Sequence, residues 1–480
     1  MVADQKTTVE SHLIYIDRKQ NVMHHIDIER LIDARHPARV LWEVTGKLDL
    51  SAFHAGIKAK RGQAGRPTFD PRLLITIWLY AYKRGVGSAR EIYRMCATDP
   101  GMQWLTGLKQ INHHTLSDFR VEHDAALKQL FEQVLGMLLM KRLITLETVT
   151  QDGTKIQARV RSNSFRQEGK IREHMAAVRK HIEEMGDPKA KLTRKESAQK
   201  RVLRQREQSL QEALGEIEKL RAQGSNKEPQ ASETDPQARF MRTRSSGVVP
   251  AYNVQITTDA AHGLIVDVEP IQEVNDSQQL EPAMARVQQV TGRQPPQVIA
   301  DGDYTNHDTV KAMARLGIDF YGSWKATAKR PDQITREQFI FDQEKNQFSC
   351  PQGKPMPLVQ IQKREHFTNH IYRAALEDCA SCVKRAGCCA NPKGKQGRSV
   401  SRRFDSALTT AFKRKMETAA AKAIYRTRSA IAEFPNLWIK AKFGLRQFRT
   451  QGLSKARMEV RWAALAYNLL RYVQLEPHAA

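Results

Sequence analysis

Apolar residues recur at helical spacing through the first third of the chain. The run from Pro71 to Arg84 predicts a helix, with proline at its first position and the turn at 85–87 after it. Further helices are expected over 89–97 after a Ser88 cap, over 99–106, and from Thr115 or Ser117 to Arg142. Compact helices joined by glycine turns fit a helix-turn-helix DNA reader, but a helical packing module without DNA contact fits the pattern equally well. The DNA reading is slightly favoured by Arg84, Arg90, Arg94 and Lys109.

The pattern changes at Leu146, where LETVTQD and TKIQARV are typical of strands. Residues 167–224 interrupt them with a charged segment whose apolar positions step by three and four. Because Gly186-Asp187-Pro188 breaks this pattern, the segment is predicted to be a helical hairpin or short coiled coil. A solvated structural arm is one interpretation, and an arm for dimerisation or DNA clamping is the other.

Strands return after a polar linker over 224–236. The segments VVPAYNVQITTD and GLIVDVEPI predict a hairpin, followed by a helix over 280–291, the strand QVIA, a helix over 308–316 and the strand IDFYGSW. This order predicts an α/β fold with a mixed β-sheet. A cysteine-rich segment at 348–400 and a helical region at 407–475 complete the chain.

The charge balance points to a polyanionic partner. Seventy-seven Lys and Arg against 52 Asp and Glu give a net charge of +25, and neutralising phosphates releases counterions. The first residues lack the apolar core of a signal peptide, and the longest apolar stretch, at 73–82, is short for a membrane span. We therefore expect a cytoplasmic protein that does not contact membranes.

Two aspartates are candidates for chemistry at strand ends. Asp301 follows the apolar strand 297–300, and the carboxyl ends of strands in α/β sheets favour ligand and metal groups. Asp303 competes with it, and a loop-capping role is the structural alternative. Asp152 follows ETVTQ, but Asp152-Gly153 between two β-rich runs is equally typical of a hairpin turn.

Glu433 is the third candidate acid. It lies seven residues after Arg426 and seven before Lys440, a spacing that predicts one helical face with an acid between two cations. Such a stripe suits an acid that holds a metal beside groups that hold DNA phosphates, although an exposed ion-pair face has the same pattern. Pro435 is expected to kink the helix or to open a new one.

The clustered cysteines suggest a second metal. Four thiolates in a reducing compartment suit a tetrahedral, structural Zn²⁺, and unmetallated thiols are the alternative. The predicted ligands are Cys350, Cys379, Cys382 and Cys388. Cys389 could replace Cys388, and Cys96 is expected to be a buried apolar residue.

Several motifs in the same order resemble insertion-sequence transposases of the IS-four and IS-five supergroup. Tyr425, Arg428, Glu433 and Lys440 resemble the signature of that supergroup. The segments GRPTFDPRLLITIWLYAYKRGVGSAREIYR, DPQARFMRTRSSGVVPAYNVQITTDAAHGLIV, VIADGDY and WAALAYNLLR are similar to its "IS-eleven-eighty-two" branch. Two departures stand out: four residues separate Arg428 from Glu433 where the broader pattern has three, and Asp303 stands where glycine is more usual.

The resemblance implies an RNase H-like catalytic domain over 146–475, preceded by an all-helical, helix-turn-helix-like DNA-binding domain over 1–145. It implies a catalytic triad of Asp152, Asp301 and Glu433 that binds Mg²⁺ or Mn²⁺. Tyr425, Arg426, Arg428 and Lys440 are then expected to bind DNA.

The activity implied is cleavage at the terminal inverted repeats of an insertion sequence and strand transfer into target DNA, by a homodimer in the synaptic complex and at the bacterial nucleoid. Two rival functions are a catalytically inactive transposase-derived DNA-binding protein and a metal-dependent nuclease that does not join strands.

Overall fold

A computed structural model describes residues 19, 23, 25–55, 57, 67–185, 193–224, 228–243, 246–324, 334–389 and 391–476. The predicted break at Gly186-Asp187-Pro188 lies outside these residues.

The first described region is helical. Its helices are α1 Pro37–Gly46, α2 Ser51–His54, α3 Pro71–Lys83, α4 Ala89–Thr98, α5 Pro100–Thr106, α6 His113–Glu122 and α7 Asp124–Met140, after a 3-10 turn at Ile28–Arg30. The Asp70 carboxylate caps α3 by accepting the Arg72 amide, so the helix begins at Pro71 as predicted. The single helix expected from Thr115 or Ser117 was wrong: α6 begins at His113, and the chain leaves helical geometry at His123 before α7.

The central region contains the main sheet and an arm. Its elements are β1 Thr148–Gln157, a 3-10 turn Ser162–Ser164, β2 Phe165–Arg166, α8 Glu168–Glu184, α9 Arg194–Ala222, β3 Ala231–Ser232, β4 Arg239–Thr243, β5 Gly247–Asp259, β6 Ile265–Ile271, α10 Leu280–Thr291, β7 Gln297–Ala300, α11 His307–Leu316 and β8 Asp319–Gly322.

We call the strands β4, β5, β6, β1, β7 and β8 the main sheet. It runs in the order β4-β5-β1-β7-β8, and β6 also pairs with β5, beyond the stretch that β4 covers. Strand β1 is antiparallel to β5 and parallel to β7, and β7 is parallel to β8. The sheet is therefore mixed, as the strand and helix order predicts.

The charged segment forms an arm of two packed helices. Ile171 and Val178 of α8 pack with Leu210, Ala213 and Ile217 of α9, which are positions of the predicted apolar stripe. Strands β2 and β3 pair at its base, and the Arg239 guanidinium donates to Glu216, so α9 is tied to β4.

The last region begins with a second, antiparallel sheet. Its elements are a 3-10 turn Arg336–Gln338, β9 Ile340–Asp342, β10 Gln347–Ser349, β11 Pro355–Lys363, β12 Phe367–Arg373, α12 Leu376–Ala380, α13 Arg385–Cys388 and β13 Ser399–Asp405. The strand order is β13-β12-β11-β10-β9. We call residues 334–389 and 391–405 the cysteine lobe. The sequence identified a cysteine-rich segment here, but its pattern did not predict the strands.

Helices close the chain: α14 Ala407–Glu417, α15 Ala419–Arg426, α16 Arg428–Leu437, a π-helical turn Trp438–Lys442 and α17 Leu453–Leu475. Helix α17 is buried along most of its length and packs against β6 and against α3, α6 and α7. Its Trp462 donates to the Arg120 carbonyl of α6 at 3.2 Å.

One continuous hydrophobic core joins the N-terminal helices, the main sheet and α17. The predicted boundary at residue 145 therefore separates helices from strands but does not separate two cores. Every helix in the part of the chain that the structure describes is too short or too polar to cross a lipid bilayer.

Candidate carboxylate site

Asp152 and Asp301 lie on neighbouring parallel strands. Asp152 is inside β1, and Asp301 comes directly after β7. The register pairs Gln151 with Ala300, so each aspartate follows one member of the same pair. The hairpin-turn interpretation of Asp152 was wrong, because β1 continues to Gln157 along the antiparallel partner β5. The strand pairing brings the two carboxylates close enough to repel each other.

Burial makes both aspartates weaker acids than an exposed aspartate. It raises the pKa of Asp152 to about 6, with repulsion from Asp301 and Asp276 adding to the effect and the Arg428 cation opposing it. Burial also raises the pKa of Asp301, although the Asp303 amide donates to its Oδ1 at 2.7 Å. A bound cation would relieve this mutual repulsion.

Helix α16 covers Asp152 with polar side chains. Arg428 Nη1 lies 3.9 Å from Asp152 Oδ1, and Asn436 Nδ2 donates to Asp152 Oδ2 at 2.7 Å. Arg428 and Asn436 are eight residues apart, so two helical turns place both on the face that meets β1. Glu433, on the flank of this face, is exposed.

The predicted stripe of cation, acid and cation on one helix was wrong. Arg426 ends α15 and Glu433 belongs to α16, so the seven-residue step crosses a break between helices. Lys440 lies in the π-helical turn, where the residues per turn differ from those of an α-helix. Pro435 is buried inside α16, with the π-helical turn directly after that helix.

Tyr425 and Arg426 line a cavity of about 480 Å³ beside the end of β8. The same cavity is lined by Gly322 of β8, by Trp324 and by the cations Lys413 and Lys422. Lys413 Nζ lies 4.2 Å from the centre of the Trp324 ring. The cavity thus combines aromatic surface with mostly positive charge, although its lining also contains the acid Glu417.

Buried polar side chains beneath the two aspartates escaped the sequence analysis. Gln255 accepts hydrogen bonds from Gln151 at 2.9 Å and from the Tyr304 hydroxyl at 2.6 Å, and donates to Asp276 at 2.7 Å. Asp276 also accepts from Asn253 at 2.6 Å. These residues link β1, β5, the loop after β6 and the loop after β7. Their positions are scattered along the sequence, so they form no motif. The signal that could have found them is the presence of polar residues inside the apolar strand 247–259.

Four of the predicted zinc ligands border one small cavity of about 30 Å³. Cys379, Cys388 and Cys389 are buried, as is the distant Cys96. The Lys354 and Arg398 amides each donate to a thiol, Cys350 Sγ and Cys379 Sγ respectively, at 3.4 Å. Burial raises the pKa of Cys388 to about 11.

A preformed metal cluster is not present among the described residues. No group of three or more His, Cys, Asp and Glu side chains within them is placed so that it could hold a metal ion. Asp152 and Asp301 nevertheless supply the hard oxygen donors that Mg²⁺ prefers, and burial with mutual repulsion makes a cation favourable there. The donor chemistry fits, while Glu433 does not complete the triad in this arrangement.

Two segments match known families. Residues 349–473 match the family described as Transposase DDE domain, and residues 26–122 match the Transposase domain (DUF772). The first match includes Glu433 but neither Asp152 nor Asp301. Comparison with curated proteins gives no match.

Among solved structures, one similar chain is in a cryo-EM structure of a piggyBac transposase synaptic complex with hairpin DNA. It has 9% sequence identity and a TM-score of 0.26, over 92% of this chain and 82% of that chain.

Proposed function

We propose that this protein is a transposase that cleaves DNA at the terminal inverted repeats of an insertion sequence and transfers the freed strand into target DNA. The observation that carries the proposal is the pair Asp152 and Asp301, in register on neighbouring parallel strands. The two transposase-family matches support the same class of enzyme from other parts of the chain.

In this proposal Asp152, Asp301 and Glu433 hold Mg²⁺ or Mn²⁺. Two such ions, when bound, activate the attacking hydroxyl and stabilise the leaving oxygen of a phosphodiester. Water attack would free a 3′-OH at the end of the element, and that 3′-OH would then attack target DNA. Glu433 is exposed, so its side chain is free of the packing that confines the two aspartates.

Cations around the site are proposed to hold DNA phosphates. Arg428 lies beside Asp152, and its planar guanidinium suits bidentate contact with a phosphate. Tyr425 and Arg426 line the cavity beside β8, and Lys440 lies in the π-helical turn after α16. The net charge of +25 supports double-stranded DNA as partner, and we propose a homodimer as the synaptic assembly.

The domain assignment is part of the same proposal. We propose that 146–475 is an RNase H-like catalytic domain, supported by a mixed sheet in which β1 has an antiparallel neighbour on one side and the parallel strands β7 and β8 on the other. The helices up to residue 145 are proposed to read DNA.

A structural Zn²⁺ in the cysteine lobe is proposed separately. Its support is the shared cavity of Cys350, Cys379, Cys382 and Cys388. Two backbone N–H donors directed at sulfur also favour thiolates at Cys350 and Cys379, and a bound Zn²⁺ would have to offset the burial that raises the pKa of the Cys388 thiol.

Cleavage of the element's own ends tests the function. Purified wild-type protein, with Mg²⁺ and a duplex that carries a terminal repeat, should nick that repeat and join it to a target plasmid, while Asp301→Asn should do neither. Asp308→Asn is the matched control, because Asp308 is an exposed acid on α11 outside the carboxylate pair.

The outcomes separate the rivals. Repeat binding without cleavage by the wild type would support the catalytically inactive DNA-binding protein instead. Cleavage without joining would support a nuclease. If Asp301→Asn cuts as fast as the wild type, the assignment of the carboxylate pair is wrong.

A further inference from the structure

Asn436 contacts Asp152, one member of the carboxylate pair, without belonging to any predicted motif. We propose that Asn436 is a positioning residue of this site: its amide N–H fixes Asp152, and its amide oxygen would accept a hydrogen bond from a water molecule of the bound cation. The inference rests on the proposed metal-dependent function and assigns a new residue to it.

Hydrogen bonding fixes the orientation of the Asn436 amide. Its Nδ2 donates to Asp152 Oδ2 at 2.7 Å and lies 3.2 Å from the Ala432 carbonyl oxygen. Both of these partners are acceptors, so the nitrogen, not the oxygen, must face them. Asp152 Oδ1 faces Arg428 at 3.9 Å instead. Asn436 therefore holds one carboxylate oxygen of Asp152, and the other oxygen lies beside the Arg428 cation.

The amide oxygen of Asn436 is buried and has no hydrogen-bond partner among the residues that the structure describes. Buried polar atoms in folded proteins are nearly always paired, and an exception calls for an explanation such as an ion or water molecule that binds there. An amide oxygen is a hard, neutral ligand of the kind that Mg²⁺ and Mn²⁺ bind, and it accepts hydrogen bonds from metal-bound water. A water molecule on a cation beside Asp152 would donate a hydrogen bond to the Asn436 amide oxygen.

Asn436 also connects the third acid to the sheet. It lies three residues after Glu433 on α16, and with Arg428 it forms the polar contact between α16 and β1. Glu433 itself is exposed. Removing the Asn436 amide should therefore loosen Asp152 directly and Glu433 indirectly, by weakening the docking of their shared helix.

Mn²⁺ binding to the full-length protein tests the role without DNA or turnover. We would titrate Mn²⁺, followed by electron paramagnetic resonance, into the wild type, Asn436→Leu and Asn369→Leu. Asn369 is the matched control because its amide oxygen is also buried without a partner in the described part of the chain, but it lies on β12 in the cysteine lobe. Asn436→Leu should weaken Mn²⁺ binding roughly tenfold, as losses of outer-shell partners do, and Asn369→Leu should leave it unchanged.

A second variant separates positioning from packing. Asn436→Asp places an acceptor against Asp152, so it should lower Tm without metal and recover the lost Tm when Mn²⁺ neutralises the pair. Asn436→Leu should show no such recovery. A purely structural role predicts equal Tm losses that Mn²⁺ does not repair.

Two results would overturn the proposal. If Asn436→Leu and Asn436→Asp both bind Mn²⁺ as the wild type does, Asn436 has no positioning role while the proposed function stands. If the wild type binds no Mn²⁺, the metal site of the proposed function fails together with this inference.

Discussion

The main sheet and the cysteine lobe both contain a β-sheet, but the main sheet belongs to a large apolar core and the lobe has only a small one. In β5 every residue from Pro250 to Asp259 is buried, and α17 and the N-terminal helices extend the same core. In β11 most residues from Pro355 to Lys363 are exposed or half-buried, and the lobe has a small core of its own. The main sheet can hold charged groups in fixed positions because apolar packing supports it; the lobe needs a further source of stability, and its thiols are suited to provide one.

The largest expected effect concerns Asp152, whose ionised carboxylate is buried in the main sheet and is destabilised there. Asp152→Asn should reduce cleavage of terminal-repeat DNA by at least about a thousandfold, which corresponds to roughly 4 kcal/mol of activation free energy. The same variant should raise the metal-free Tm. Because burial raises the Asp152 pKa to about 6, its ionised form opposes folding at neutral pH, and this penalty grows as the pH rises from the unfolded pKa to about 6 and levels off above it.

Thermal unfolding at pH 4 and pH 7.5, with chelator present, checks the sign. The Tm gain of Asp152→Asn should be present at pH 7.5 and nearly absent at pH 4. A lower Tm at both values would mean that the Asp152 carboxylate stabilises the metal-free protein.

Local patterns predicted the elements of the main sheet well. The apolar run before Asp301 ends at Ala300, and the predicted helix over 280–291 has those bounds. Patterns within one segment could not predict which segments meet. Asn436 reaches Asp152 across 284 residues, and Asp276 approaches both aspartates from the loop after β6.

Helix breaks were also beyond the sequence pattern. The seven-residue spacing between Arg426 and Glu433 assumed an unbroken helix, but α15 ends at Arg426. The four-residue gap between Arg428 and Glu433 places Ala432, not the acid, one turn after Arg428 on the face towards Asp152. The strands of the cysteine lobe escaped prediction because their alternation is weak and mostly exposed.

The next prediction breaks the continuous core between α6 and α17. Arg120 and Glu459 are both buried and lie 3.7 Å apart, and the Arg449 amide and Thr450 hydroxyl also donate to Glu459. Arg120→Met leaves a buried carboxylate without its cation and should lower the free energy of unfolding by about 3 kcal/mol, measured by urea denaturation.

The pH dependence gives this prediction its control. Burial already raises the Glu459 pKa, and loss of the cation raises it further, so the deficit of Arg120→Met should grow as the pH rises. The double variant Arg120→Met/Glu459→Gln should recover part of the loss. A deficit that is independent of pH would indicate lost packing against Trp78 instead.

Loss of the proposed Zn²⁺ should destabilise the cysteine lobe without affecting the main sheet. Zn²⁺ content near one ion per chain is expected by elemental analysis, and Cys379→Ser should lose it. Protease cleavage within 334–405 should then increase roughly tenfold or more, while the main sheet and its urea midpoint stay unchanged. Cys96→Ser is the matched control, because Cys96 is buried in the helical region. Zinc-free wild-type protein with a protease-resistant lobe would contradict the assignment.

The smallest expected effect tests whether the buried network serves the carboxylates or the fold. Tyr304→Phe removes one hydroxyl that donates to Gln255 at 2.6 Å, within a fully buried site. Its cost to the free energy of unfolding should be about 1 kcal/mol, as for a typical hydrogen bond. Because Tyr304 comes three residues after Asp301 and Gln255 pairs with Gln151 next to Asp152, the same change should lower kcat for repeat cleavage more than it changes KM for the DNA.

Tyr372→Phe is the matched control, because it removes a hydroxyl that donates to Asn346 in the cysteine lobe at 2.9 Å. It should lower the free energy of unfolding by a similar amount and leave kcat unchanged. Equal kcat in the two variants would mean that the network beneath the aspartates supports only the packing of the sheet.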